Sequence, residues 1–338
     1  MASSTQAQPS PILIFRTLRA FENSAALKTA IELDLFTAVG EGSNTAASLA
    51  RRVKVAERGA RILADHLVVL GFLTKKNGSY GLTEDSATFL DRRSPAYMGT
   101  VAKFLAAPHA YKNFEGLTDA VRRGGAPEDA HSVTPDDDMW VEFARSMAPL
   151  MVPASQFIAD LTKSAAARPM KVLDIAAGHG LFGIAVAKAN PKAEIVAVDW
   201  KPVLSVAQEN ANKAGVANRY RALYGSAFDV DFGSGYDLVL LTNFLHHFDV
   251  PTNEKLLRKI HAALNPGGRV ATLEFVPNDD RVTPPDAAAF AIIMLASTPH
   301  GDAFTRKELE SMLRNAGFRS TEMHMLPTGF QAVLLSQK

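Results

Sequence analysis

Over roughly the first ninety residues, apolar positions recur at helical spacing. Ala26, Leu27, Ala30, Ile31, Leu33 and Leu35 predict one helical segment that Gly40 stops. Thr45-Ala-Ala-Ser-Leu-Ala-Arg opens a short helix, and Ile62, Leu63, His66, Leu67 and Leu70 mark a longer one over 57–70. Phe72-Leu-Thr-Lys-Lys and Tyr80-Gly-Leu-Thr then flank Asn77-Gly78, a pair that favours the left-handed backbone of a tight hairpin turn. Helix, short helix, longer helix and hairpin outline a winged helix-turn-helix. Residues from about 96 to 168 read as helical, with breaks at Gly124-Gly-Ala-Pro and Pro135-Asp-Asp-Asp. Trp140, Phe143, Met147, Met151 and Phe157 trace a bulky apolar face there, suited to a core or to a pocket wall.

A second regime starts near residue 168, where apolar runs alternate with helical patterns. Strands are predicted at 171–175, 194–199, 219–224, 236–242 and 268–275, and helices at 181–190, 203–214 and 253–264. That alternation predicts a parallel sheet with helices on both faces, binding its ligand at the carboxyl ends of the strands. Thr305-Arg-Lys-Glu308 is a capping-box pattern opening a helix that Gly317 closes. Two short apolar runs follow, 321–326 and 330–335, joined through Pro-Thr-Gly. So short a link cannot make a parallel crossover, so the last strand is expected to run antiparallel. The predicted class is α/β: a mainly helical winged-helix domain over 1–100, then 101–338. Within the latter, 101–168 is a helical part and 169–338 a Rossmann-like core.

Composition narrows the partners. The 338 residues hold 36 Lys+Arg and 35 Asp+Glu, a net charge of +1, which argues against nucleic acid or an anionic membrane surface. Residues 1–100 carry 12 Lys+Arg and 9 Asp+Glu. The 57–70 helix spends its surface on Ile62, Leu63, Leu67, Val68 and Leu70, whereas a DNA reader projects Arg, Lys, Asn or Gln. The winged-helix outline is therefore read as a packing or dimerisation module. With no cysteine, disulfides, zinc–cysteine sites, iron–sulfur clusters and thiol nucleophiles are excluded. The first eleven residues are polar and lack a signal-peptide pattern. The longest apolar stretch, 287–296, falls well short of the roughly 18 residues of a membrane span. A cytoplasmic location is expected.

The chemistry begins at Asp174-Ile-Ala-Ala-Gly178-His-Gly180-Leu-Phe-Gly183, between a predicted strand and its helix. Gly178-His-Gly-Leu-Phe-Gly183 fits the dinucleotide fingerprint, with Asp199 near the ribose-binding position. A tight turn alone would also use these glycines. However, a carboxylate at Asp174 repels a pyrophosphate and attracts an ammonium, and Asp199 can accept both ribose hydroxyls. S-adenosylmethionine, which carries ammonium, sulfonium and ribose but no phosphate, suits that pairing better than a nicotinamide dinucleotide.

Val172-Leu-Asp-Ile-Ala-Ala-Gly-His-Gly resembles the first motif of the class I S-adenosylmethionine-dependent methyltransferases, with Ala176 in place of the usual first glycine. An antiparallel last strand is likewise a feature of that fold. The resemblance implies that Asp174, Gly178 and Gly180 hold the methionine moiety and Asp199, with Trp200 beside it, the ribose. Gly225-Ser-Ala-Phe228 is similar to the segment on adenine, giving Ser226, Ala227 and Phe228, with Ser226 where Asp is frequent. Leu264-Asn-Pro-Gly-Gly-Arg-Val resembles the turn before the family's fifth strand.

Leu241-Thr-Asn-Phe-Leu-His246-His247-Phe-Asp narrows the resemblance to the plant-type and bacterial small-molecule O-methyltransferases. Those enzymes carry an N-terminal winged-helix dimerisation domain, which implies a homodimer. It also implies that Phe143 and Met147 pack on the cofactor and that Asn243 lies near its reactive end. His246 is then the general base and Glu274 the carboxylate that orients it. His247 stands where Asp is common. A base is needed because a phenol with a pKa of about 10 is mostly protonated at neutral pH, while imidazole titrates around 6.5. A second family carboxylate is missing, since Ala303 stands where Glu is common, and Asp302 next door is the candidate substitute. Phe104, Phe290 and Met294 resemble the wall of a flat aromatic acceptor. His246-His247 with His300 lacks metal-ligand spacing, so no metal is expected. The leading expectation is an S-adenosylmethionine-dependent O-methyltransferase acting on a small phenolic acceptor. The alternatives are an N- or C-methyltransferase on the same fold, a DNA-binding regulator with a silent cofactor domain, and a nicotinamide oxidoreductase.

Overall fold

The computed structural model describes residues 8–128, 138–162 and 168–338. Pro135-Asp-Asp of the predicted break, whose last residue Asp138 opens a helix, and the first seven residues of the polar N-terminus lie outside the described residues. The chain divides into two compact units, Met1–Ala107 and Pro108–Lys338.

In the N-terminal unit the helices Ala20–Glu32, Leu35–Gly40, Ala46–Val53 and Glu57–Val69 precede a hairpin of β1 (Leu73–Lys76) and β2 (Ser79–Leu82). The single segment predicted up to Gly40 is two helices, because Asp34 turns left-handed at φ 59° and restarts the chain in a new direction. Thr45 caps the next helix with a full capping box, its hydroxyl accepting from the Ser48 amide. Asn77 and Gly78 both take positive φ, as a two-residue hairpin turn demands. Leu35, Phe36, Leu49, Leu67 and Leu73 pack as the core of this unit. Leu13, Ile14, Phe15 and Leu18, on a preceding helix Ile12–Leu18, and Phe21, on Ala20–Glu32, stay exposed. Val69, on the Glu57–Val69 helix, is exposed as well.

The C-terminal unit holds a seven-stranded sheet of β3 (Met170–Ile175), β4 (Ala193–Asp199), β5 (Tyr220–Tyr224), β6 (Tyr236–Thr242), β7 (Leu264–Glu274), β8 (Arg319–Met325) and β9 (Ala332–Gln337). Their spatial order is β5-β4-β3-β6-β7-β9-β8. Pairings are parallel from β5 to β7, and β9 runs antiparallel to both β7 and β8. Alternate residues of each central strand enter opposite cores. Val172, Ile195, Leu238 and Leu240 meet the helices Ala148–Thr162, Leu181–Ala189 and Lys201–Lys213. Leu173, Val196, Val239 and Leu241 meet Val250–Ala263 and Arg306–Asn315. This two-sided burial is why the strands read as continuous apolar runs.

Two boundaries in the sheet unit start well before the expected residue. The helix expected from 253 begins at Val250, because Asp249 caps it by accepting the Thr252 amide and Pro251 suits its first turn. The strand expected from 268 starts at Leu264, where the chain already pairs with Tyr236 before a register shift. Among the described residues, no helix is long and apolar enough to cross a membrane.

Candidate active site

Chain order runs outward from β3 to β4 and β5, then returns to β6 on the other side of β3. Such a reversal leaves a crevice at the carboxyl ends of the strands. Here four successive strand ends line one cleft: Ala176 after β3, Val198 to Trp200 at β4, Gly225 to Phe228 after β5, and Phe244 after β6. No Lys or Arg is among the described residues lining it, so a phosphate would meet no cationic side chain there.

The β3 loop makes two different uses of glycine. Gly178, at φ 56°, would bring a Cβ to an ordinary contact, 3.9 Å from the Ala176 carbonyl oxygen, and its N–H donates to Asp199 Oδ2 at 2.9 Å. A Cβ on Gly180 would lie 2.6 Å from the Tyr220 hydroxyl, so that glycine serves close packing of the loop on β5. Ala176 keeps the left-handed backbone, at φ 52°, that its missing glycine would have adopted freely. His179 lies buried beneath the loop, accepting the Leu181 amide on Nδ1, and burial pulls its pKa down to about 4.

Two acidic side chains serve this loop differently. Asp199, half-buried, also accepts the Trp200 amide on Oδ1 at 2.7 Å. Burial pushes its pKa up to about 6 against the pull of those two N–H donors. Asp174 is fully enclosed: Oδ2 accepts the Gly183 amide at 3.0 Å, and Oδ1 has no partner. Burial drives its pKa up to about 8. Its hydrogen bond anchors the first turn of the helix that closes the loop.

The other half of the site follows β6. Glu274, the last residue of β7, accepts the Phe244 and Leu245 amides on Oε1 at 3.0 and 2.8 Å. Its Oε2 lies 2.6 Å from His246 Nδ1. With Nδ1–H donating to the carboxylate, Nε2 is left with its lone pair. The backbone around His246 is also tied down: Asn253 Nδ2 donates to the Leu245 and Phe248 carbonyls, and the Asp302 amide donates to the His246 carbonyl at 3.0 Å. The Asp302 carboxylate is otherwise engaged, accepting from its neighbour Ala303 and from Arg281. Asp302 therefore supports His246 through its main chain, while its side chain pairs with Arg281.

Aromatic rings surround the imidazole. Phe290, on the helix Pro285–Ser297, stands edge-to-face to His246 at 4.9 Å and stacks on Phe275 at 3.9 Å. Met294 is buried one turn further along the same helix. His247 lies beside His246 and packs against Trp140 at 5.7 Å. Trp140 brings in the helix Asp138–Ser146, which carries Phe143 and leads to buried Met147. Arg145 pairs with Glu209 there, holding this helix to Lys201–Lys213 behind Trp200. Asn243, at φ 53°, accepts from Gln331 Nε2 at 2.6 Å and donates to Met151 Sδ.

The expected residues thus belong to the C-terminal unit, most of them at or near the carboxyl ends of its strands, with Phe104 the exception. That residue belongs to the N-terminal unit, on the helix Ala102–Leu105. Phe244, Asn253, Phe275 and Gln331 were missed. Phe244 sits inside the quoted histidine motif, and Gly225-Ser-Ala-Phe already marked the β5 loop. Asn253 and Gln331 carry no local pattern, because their partners are set by tertiary packing. Among the described residues, no group of three or more His, Asp or Glu is arranged to hold a metal ion.

The O-methyltransferase domain model matches residues 115–319, and the O-methyltransferase dimerisation domain model matches residues 15–92. The fold is similar to the solved structure of a candidate O-methyltransferase from Nostoc punctiforme PCC 73102. That match has a TM-score of 0.93 and 52% identity, covering 98% of this chain and 100% of the other. The 3-hydroxy-5-methyl-1-naphthoate 3-O-methyltransferase of Streptomyces sahachiroi is 29% identical over 314 residues, 91% of this chain and 89% of its own. The S-adenosyl-L-methionine-dependent methyl transferase PigF of Serratia sp. (strain ATCC 39006) is 26% identical over 334 residues, 94% and 93% of the two chains.

Proposed function

The chain belongs to the O-methyltransferase family, and from that premise we propose that it methylates a hydroxyl of a small phenolic acceptor with His246 as general base. The cofactor is S-adenosylmethionine, which supplies an electrophilic methyl group when bound. The cleft suits it: apolar and aromatic walls for a purine, an acidic Asp199 for ribose hydroxyls, and no cation for a phosphate. Asp199, Trp200, Ser226, Ala227 and Phe228 would hold the nucleoside, and Gly178 and Gly180 would shape the loop at its other end. Asp174 contributes from beneath, by anchoring that loop. Phe143, Met147 and Asn243 are the proposed neighbours of the reactive end.

One observation carries the reading: the 2.6 Å contact from His246 Nδ1 to Glu274, whose other oxygen pins the same loop by two amides. A buried carboxylate so placed fixes the ring and its tautomer, and it stabilises the imidazolium formed once Nε2 takes a hydroxyl proton. Phe290 and Met294 beside the ring supply an apolar wall for a flat acceptor. The exposed Leu13, Ile14, Phe15, Leu18 and Phe21 of the N-terminal unit support assembly as a homodimer through the dimerisation domain.

The test is methyl transfer from labelled S-adenosylmethionine across phenols, aromatic amines and enolisable ketones. Turnover on phenols, lost in His246→Ala with S-adenosylhomocysteine affinity retained, is the expected result. Turnover confined to amines or carbon acids would overturn the hydroxyl reading.

A further inference from the structure

The cleft loop after β5 is held from behind by one cation. Lys259, on the helix Val250–Ala263, places Nζ 3.0, 2.9 and 2.6 Å from the carbonyl oxygens of Ala227, Phe228 and Val230. Three carbonyls thus meet the three N–H donors of one ammonium, a match that a planar guanidinium cannot reproduce. Nζ also stands 4.2 Å over the ring of buried Phe232, which limits where the side chain can go.

Two of those carbonyls belong to residues that line the cleft, Ala227 and Phe228. The loop has its own turn, with the Asp229 and Val230 amides donating to the Ser226 carbonyl and the Phe228 amide to Ser226 Oγ. Those bonds set the local bend but leave the outward carbonyls to the ammonium. The Phe228 ring is in turn wedged against Phe244 and Phe248. We propose that Lys259 is a positioning residue for the cofactor: by gripping three carbonyls it sets the peptide planes of 227–230, and so the surface that receives the adenine. The inference rests on the reading that S-adenosylmethionine occupies this cleft.

Lys259 touches neither methyl donor nor acceptor in this assignment, so its loss acts on binding and spares the chemical step. In Lys259→Met the dissociation constants of S-adenosylhomocysteine and of adenosine should rise together, by about tenfold, as expected for losing charge-assisted hydrogen bonds. KM for S-adenosylmethionine should rise in parallel while kcat at saturation stays near wild type. Removing a half-buried cation can also unfold a chain, so Lys259→Cys provides the control. The natural sequence has no cysteine, so 2-bromoethylamine alkylates that thiolate alone, displacing bromide and restoring an ammonium at nearly the original reach. Affinity measured before and after alkylation of one preparation should recover.

Equal S-adenosylhomocysteine affinity in wild type and Lys259→Met overturns the proposal. So does a loss that alkylation fails to restore, or one seen with S-adenosylhomocysteine but absent with adenosine. A wild-type protein that binds no S-adenosylhomocysteine overturns the cofactor reading instead, which keeps the two failures distinct.

Discussion

Glu274 ends β7 and Asp174 stands one residue before the end of β3; both are closed off from solvent, yet their surroundings differ. Glu274 meets three donors, the His246 ring and two backbone amides, so both oxygens are used. Asp174 meets one, the Gly183 amide, and its second oxygen has none. A buried charge is tolerable when every lone pair finds a donor and expensive when one does not. Asp174 answers by holding its proton up to about pH 8. One carboxylate is thus equipped to stabilise a cation next to it, and the other is a neutral anchor under a loop.

The sharpest way to break that contrast is at the proposed base. His246→Ala should lower kcat about a thousandfold, in the range for loss of a general base, with S-adenosylhomocysteine affinity unchanged by calorimetry. Unaltered turnover would remove His246 from the mechanism.

Glu274→Gln comes next. An amide keeps an acceptor for the two backbone N–H groups but puts a donor or a neutral oxygen against Nδ1. A drop in kcat of about ten- to a hundredfold is expected, the size typical of disturbing a residue that orients a functional histidine. Near wild-type melting would separate positioning from folding.

Asp174 makes a prediction about stability and pH. The unfolded carboxyl ionises near 3.8 and the folded one near 8, so between these values the unfolded chain binds fewer protons. Stability should therefore fall as pH rises through that window, by at most about 1.4 kcal/mol per unit. Asp174→Asn should flatten this slope in urea unfolding at pH 5 to 8; an unchanged slope would show that Asp174 is ionised in the fold. His179 runs the other way. Its folded pKa near 4 lies below the usual 6.5, so the unfolded chain binds the extra proton and stability is lost as pH drops between them. His179→Gln should soften that acid limb.

The smallest effect belongs to Ala176. Its left-handed backbone costs an L-residue roughly 1–2 kcal/mol, while glycine adds back some unfolded-state entropy. Ala176→Gly should thus stabilise by about 1 kcal/mol or less, read as a small rise in melting temperature. Destabilisation would mean that the Ala176 methyl packs in the cleft wall more tightly than its backbone strain costs.

Much of this was legible in local pattern. Asn77-Gly78 specified a hairpin turn, and Thr305 with Glu308 specified a capping box that forms as written. The short link before β9 required an antiparallel strand. His246 and Glu274 were paired by motif, across 28 residues of chain, and the geometry places them in contact. Local pattern places Asp174 at a strand end, and tertiary packing decides that its side chain is enclosed there. Local pattern left the role of Asp302 open, and packing brings its carboxylate to Arg281, from a loop twenty-one residues earlier.

By itself, then, the sequence determined the alternation of elements, the turns and caps, the residue types at the strand ends, and the absence of any thiol for the chemistry. Those follow from local backbone preference and side-chain periodicity, which act over a few residues. Only the tertiary structure decided which carboxylate is satisfied and which is enclosed. The same holds for Gln331 reaching Asn243 across 88 residues and for Lys259 gripping the β5 loop from another helix. Burial and hydrogen-bond partners are set by which segments the fold packs together, and these interactions join groups with no shared local pattern.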